Sequence, residues 1–188
     1  MITSEILNIL ALLWIILVLA YYLIPVVNGL PPTSTRPDRV RRALKLAGLQ
    51  PGERLYDLGS GNGRVLVIAA REFRAKAVGI DVGPLQCLQG WWAARLNNVG
   101  SRVQLRWANF FKTDLREADV IFAYLTSSYA QRLEAVLQAQ LKPGARVVTI
   151  SFDLPDWEPA DFDERDLIFL YRIPPTPGDL GTYLAKKI

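Results

Sequence analysis

The stretch "YDLGSGNGRV", residues 56–65, constrains the fold of this chain more than any other. Gly59, Gly61 and Gly63 stand at alternate positions behind Asp57, between two apolar runs. Backbone without Cβ atoms can turn sharply there and let another molecule approach closely. A strand entering such a turn and a helix leaving it predict the first unit of a wound α/β sheet. In that architecture the turn lies at the carboxyl edge, where ligands collect.

The rest of the chain keeps the same rhythm. "RLYDL", "AKAVGID", "RVQLRWAN", "DVIFAYL" and "GARVVTISF" read as strands, and "RVRRALKLAGL", "GRVLVIAAREF", "GPLQCLQGWWAARLNNV" and "SSYAQRLEAVLQAQL" as helices. Asp38 is placed to cap the first of these helices. Short apolar strands separated by periodic helices make βαβ units, and hence a parallel sheet covered on both faces. The rhythm breaks at the end, where "DLIFLYRIP" and "GTYLAKKI" are separated only by "PTPGDL". Two strands without a helix between them predict a C-terminal antiparallel hairpin.

Ahead of this domain lies a different kind of segment. No charged residue occurs between Glu5 and Arg36, and residues 9–27, "ILALLWIILVLAYYLIPVV", are almost wholly apolar. Nineteen such residues suffice to cross the ~30 Å hydrocarbon layer of a bilayer. Tyr21 and Tyr22 sit toward one end, where amphipathic rings favour the interface, and Pro25 and Gly29 are expected to end the helix. A signal peptide would begin with basic residues and end at a small-residue cleavage site, and neither is evident. The expected organisation is a transmembrane anchor over 1–30, a linker over 31–37 and the α/β domain over 38–188. Arg36, Arg39, Arg41, Arg42 and Lys45 follow the span and none precedes it. The positive-inside rule then puts the domain in the cytoplasm, with the basic cluster against anionic headgroups.

Composition removes several chemistries. The chain has no histidine and one cysteine, Cys87. A Ser-His-Asp triad and an intrachain disulfide are therefore impossible, and no metal is expected. Cys87 is expected to be buried and inert. The net charge of +4 comes without a basic stripe interleaved with aromatics, so nucleic acid is not expected as a partner. Trp91 and Trp92 are assigned to core and interface, and Trp157 is a candidate pocket wall.

The spacing G-x-G-x-G, with Arg64 where a dinucleotide fingerprint needs glycine, excludes the usual NAD motif. A second acid, Asp81, ends the second strand 20 residues after Gly61. Carboxylates at both places suit a ligand with a cationic amino-acid part and a ribose diol. S-adenosylmethionine (SAM) has both.

With these motifs and the terminal hairpin, residues 36–188 resemble the class I SAM-dependent methyltransferases. That implies a Rossmann-like doubly wound sheet of seven strands, mostly parallel. The anchor, "LAGLQPGERLYDLGSGNGRVLVIAA", "AVGID", "ANFFKTDL" and "LKPGARVVTISFDLPDW" are together similar to the small single-span protein-lysine N-methyltransferases. Animal members of that group act on the adenine nucleotide translocase and the ATP synthase c-subunit. The resemblance implies that Asp57, Gly59, Ser60, Gly61 and Gly63 cradle the methionine part and that Asp81 holds the ribose. It places Asn109 and Phe110 along the adenine and Tyr124 and Leu125 facing the methyl. Asn62 and Asn109 stand where the family usually has acids, and Ile150 and Ser151 where prokaryotic relatives often carry a His-Asp pair. Asp153, Tyr124 or a water chain accepts the substrate proton. The implied substrate is a lysine of a membrane protein. The alternatives are a membrane-soluble small molecule or a cofactor-binding scaffold without turnover.

Overall fold

In the computed structural model, which describes residues 2–27 and 35–187, two helices precede the sheet: α1 (Ile2–Val27) and α2 (Pro37–Leu46). Then come β1 (Arg54–Leu58), α3 (Arg64–Glu72), β2 (Lys76–Asp81), α4 (Pro84–Leu96), β3 (Val103–Trp107), β4 (Val120–Ala123), α5 (Ala130–Gln140) and β5 (Arg146–Ile150). All five strands are parallel, in spatial order β3-β2-β1-β4-β5. Successive side chains of a strand point to opposite faces, and this alternation makes two cores. Leu55, Phe122 and Val148 meet Leu44 of α2 and Leu66 of α3 on one face. On the other, Tyr56, Ile121 and Val147 meet Leu133 and Leu137 of α5.

The C-terminal part differs from the expectation in detail. The chain continues through β6 (Trp157–Glu158), β7 (Asp161–Asp163), β8 (Ile168–Arg172), β9 (Thr176–Pro177) and α6 (Leu180–Ala185). The antiparallel hairpin is β7–β8, and β8 inserts between β5 and β7 to complete seven strands. "GTYLAKKI" is therefore not a strand. Asp179 caps α6 instead, accepting a hydrogen bond from the Thr182 amide at 2.7 Å. The true edge strand, "DFD", is short and charged, as edge strands are when they avoid pairing with other chains.

Two helix boundaries also shift. The N-cap of α2 is Arg36 with Pro37 in the first turn, so Asp38 lies inside the helix and faces Arg36 and Arg42. α1 runs past Pro25 to Val27, while Gly29 and most of the expected 31–37 linker lie outside the described residues. Pro25 has no N–H, which leaves the Tyr21 carbonyl without its i+4 donor. The Gln86 amide of α4 donates to that carbonyl at 2.9 Å. Ser4–Leu23 of α1 has a mean hydropathy of 2.5, and none of it is buried inside the molecule.

Gly63 shows how tightly the first βα unit is drawn. Its φ is +76°, and a Cβ there would lie 2.6 Å from the Cα of Gly90 on α4. Both the left-handed backbone and the contact between α3 and α4 require glycine. Gly63→Ala is expected to destabilise the protein by about 2 kcal/mol or more, measured by urea unfolding.

Candidate functional site

The strand order reverses between β1 and β4, and clefts at the carboxyl ends of such strands bind ligands. Asp57, Gly59, Ser60, Gly61 and Gly63 all lie at the end of β1 or in the turn after it. The turn is held from outside, because the amides of Gly59 and Ser60 both donate to the Ile80 carbonyl of β2, at 2.9 and 3.1 Å. A Cβ on Gly61, whose φ is +50°, would meet nothing within 4 Å, so this turn opens onto free space.

Asp81 ties the two loops together. One carboxylate oxygen accepts from the Gly61 amide and the other from the Gly83 amide, each at 2.8 Å. Burial raises the Asp81 carboxyl above its usual range, while the amides of Gly83, Gly61 and Val82 pull against that shift. Asp57 has no such support. It is 3 % exposed, and its Oδ2 has no hydrogen-bond partner among the described residues. Burial, with the Asp81 charge adding to it, pushes the Asp57 carboxyl up to about 8. Ser60 Oγ is equally buried and equally without a partner.

The remaining predicted residues are spread around the carboxyl edge. Asn109 follows β3, and its Oδ1 accepts from the Phe111 amide at 2.9 Å, capping a short 3₁₀ turn over Phe110–Lys112. Phe110 is 2 % exposed and belongs to the α5-side core, whereas half-buried Phe111 lies under the Arg132 guanidinium, 4.0 Å from the ring centroid. Tyr124, after β4, packs on the α2–α3 side with the Arg39 guanidinium 5.7 Å from its ring centroid. Asp153, after β5, is close enough to Glu134 and Tyr171 on the α5 side for its charge to act on both. Burial holds the Glu134 carboxyl above its usual range, with the charges of Asp156 and Asp153 adding to the shift. Tyr124 and Asp153 therefore belong to opposite sides of the sheet edge.

Four expectations change. Trp157 is buried in the core against Tyr171, whereas Trp91 and Trp92 are exposed. The arginines of α2 are largely spoken for within the domain: Arg41 pairs with Glu72, Arg42 with Asp166, and Arg36 with Asp38. Cys87 is half-buried rather than fully buried, and burial pushes its thiol up to about 11, which keeps it unreactive.

Gly79 escaped the sequence reading. It is the β2 partner of Asp57, and a Cβ there would lie 2.7 Å from Ser60 Oγ. A glycine inside a strand signals such a close approach.

The family model of the ANTKMT methyltransferase domain matches residues 57–161, more than half of the chain. The chain belongs to that family. A protein-lysine N-methyltransferase from Saccharolobus islandicus is 33% identical over 72% of this chain and 84% of its own length. The adenine nucleotide translocase lysine N-methyltransferase of Mus musculus is 32% identical over 72% of this chain but 59% of its own length. Among solved structures, an RNA methyltransferase from Salinibacter ruber in complex with S-adenosyl-L-homocysteine superposes with a TM-score of 0.75 at 36% identity. That match covers 79% of this chain and 99% of the other.

The chain is thus a SAM-dependent methyltransferase, and the residues present fit that cofactor. Two buried, unpartnered oxygens, Asp57 Oδ2 and Ser60 Oγ, stand beside an open glycine turn and suit a group rich in donors.

Asp57 titration follows from its burial. The folded protein binds this proton more tightly than the unfolded chain does, so ionisation costs the folded state more. The Asp57 contribution to stability without cofactor should be greatest on the acid side, fall as pH rises from the ordinary 3.8 toward about 8, and then level off. Asp57→Asn should remove that decline, measured by urea midpoints across the pH series.

Proposed function

We propose that this chain is a single-pass membrane enzyme that methylates a lysine of a membrane-associated protein. The reading assigns 1–30 to the anchor, 31–37 to the linker and 38–188 to the catalytic domain. The domain then faces the cytoplasm of a prokaryotic cell. The observation that carries it is α1, an apolar helix of spanning length with none of the residues of its apolar window buried, preceding a domain of a protein-lysine methyltransferase family. The family and the fold hold without the anchor; the membrane substrate depends on it.

In this reading Asp57, Gly59, Ser60, Gly61 and Gly63 hold the methionine part of SAM, with Asp57 ionised opposite its ammonium group. Asp81 keeps its two amide donors and uses its remaining lone pairs for the ribose hydroxyls. Asn109 turns its amide nitrogen to the adenine, because its oxygen is engaged by Phe111. Phe110 supports that wall from beneath. SAM, when bound, supplies a methyl group on a cationic sulfur.

The residues of the chain have two further tasks. They must align a lysine amine with that methyl, which contributes several kcal/mol through orientation alone. They must also take the lysine proton. An unperturbed lysine titrates near 10.4, and a desolvated mouth lowers that value, so no histidine is required. Tyr124 and Asp153 are the candidates for proton acceptor, one from each side of the sheet edge.

RNA methylation is a second reading, favoured by the likeness to the Salinibacter ruber structure. One experiment addresses both. Membranes and total RNA from cells lacking the gene are incubated with the full chain and radiolabelled SAM. Label is expected in a membrane protein, as methyl-lysine by mass spectrometry. Label confined to RNA, lipid or small molecules would remove the protein-lysine reading. With the substrate found, Asp153→Asn and Tyr124→Phe separate the two acceptors: the true one should lose about 100-fold in kcat with SAM binding intact by calorimetry. Asp81→Ala should lose SAM binding altogether.

A further inference from the structure

Helix α4 carries a surface that the methyl-transfer chemistry does not use. Leu88, Trp91, Trp92 and Leu96 are 51%, 43%, 54% and 77% exposed, and Trp107 at the end of edge strand β3 is 70% exposed. Positions 88, 92 and 96 fall at four-residue spacing, so they line one side of the helix. Large apolar side chains gathered on one face mark an interaction site rather than ordinary surface.

The charge of this region is as unusual as its hydrophobicity. Residues 82–113 contain four basic side chains, Arg95, Arg102, Arg106 and Lys112, and no acidic one. The rest of the chain has 18 basic and 18 acidic residues, so the whole net charge of +4 resides in this segment. Unlike Arg41 and Arg42 of α2, none of these four forms an ion pair among the described residues. Arg95 lies over the Trp91 ring, 4.9 Å from its centroid.

A third observation says what this face meets. The end of α1 is attached to α4 itself: the Tyr21 carbonyl accepts from Gln86 at 2.9 Å, and the Tyr21 hydroxyl donates to Gln89 at 3.4 Å. A spanning helix that ends on α4 delivers α4 to the bilayer surface. Of the four basic residues, Arg106 lies over the Tyr56 ring on the α5 side of the sheet, but Arg95 over Trp91, on a helix that carries no acid, matches the headgroup layer of an anionic leaflet.

We infer that the exposed face of α4, with Trp107, lies in the headgroup layer of an anionic membrane as a second contact beside the anchor. The inference rests on the proposed membrane span of α1. Its consequence is orientation. Asp81 leads through Gly83 directly into α4, so docking this helix holds the cofactor end of the sheet next to the bilayer. RNA is the weaker occupant, because Leu88 and Leu96 offer aliphatic surface rather than stacking platforms, and the face is continuous with an apolar helix.

The test uses the full chain in vesicles of phosphatidylcholine and phosphatidylglycerol. In a Cys87→Ala background, a nitroxide is placed through Trp92→Cys, and separately through Gln138→Cys on exposed α5 as a control. Collision with a water-soluble nickel chelate and with oxygen is then measured by electron paramagnetic resonance. Position 92 should lose accessibility to the nickel chelate and gain it to oxygen, while position 138 remains aqueous. High salt or neutral lipid should weaken that shielding without releasing the chain on carbonate washing. A chain that resists carbonate but leaves position 92 as aqueous as 138 overturns the inference and leaves the anchor standing. A chain released by carbonate overturns the anchor reading and the inference with it. Shielding that appears only with added RNA, or only in native membranes, assigns the face to a nucleic acid or a protein and removes lipid as its occupant.

Discussion

Two carboxylates stand close together under a glycine turn, with no cation beside them among the described residues, and the arrangement of the carboxyl edge follows from that burden. Burying a charged group is unfavourable unless donors or counter-charges compensate it. Asp81 is compensated by backbone, since its loops are bent so that the Gly61 and Gly83 amides point into it. Asp57 is not compensated, and in the absence of ligand it holds a proton near neutral pH instead. A site of this kind is preorganised for one class of guest. A ligand bringing an ammonium group and a pair of hydroxyls relieves both acids at once, and part of its affinity comes from a penalty the folded protein already carries.

Much of this was legible in the sequence, for reasons tied to particular residues. β1 to β5 each combine short apolar runs with flanking turn signals, and Gly59, Gly61 and Gly63 punctuate the first unit unmistakably. The terminal region was harder. "GTYLA" has the branched and aromatic content of a strand, and the capping signal that decides otherwise is a single side chain, Asp179, three residues before Thr182. "DFD" is too short and too acidic to read as a strand, because its stability comes from pairing with β8 rather than from its own propensity. The exposure of Trp91 and Trp92 was also illegible. An aromatic pair on a helix reads as core until the packing shows that Gln86, Gly90 and Ala94 occupy the inward face.

The departures from the family pattern acquire a structural meaning. Asn62 and Asn109 stand where acids are usual, and each makes the local bond a carboxylate would make. Asn62 Oδ1 accepts from the Arg64 amide at 3.2 Å, and Asn109 Oδ1 from the Phe111 amide at 2.9 Å. Asparagine and aspartate are near-equal acceptors in such turns. The substitutions therefore preserve loop shape while removing negative charge from a cleft that already holds two buried acids, one of them uncompensated.

Placement of the cleft follows a separate logic from its chemistry. The arginines of α2 look in sequence like a membrane-facing cluster, but the fold spends them on Glu72, Asp166 and Asp38. What stays unpaired is the acid-free segment around α4, attached to the end of α1. The proposed tether would confine the domain near the bilayer and raise the effective concentration of embedded targets, but alone it would leave the domain free to rotate. The inferred second contact on α4 would remove that freedom. The glycine turn and α4 are joined through Asp81, whose carboxylate accepts both the Gly61 and Gly83 amides, so an orientation fixed at α4 would be passed to the cleft. Substrate choice in such an enzyme would then come from where the cleft is held as much as from what lines it.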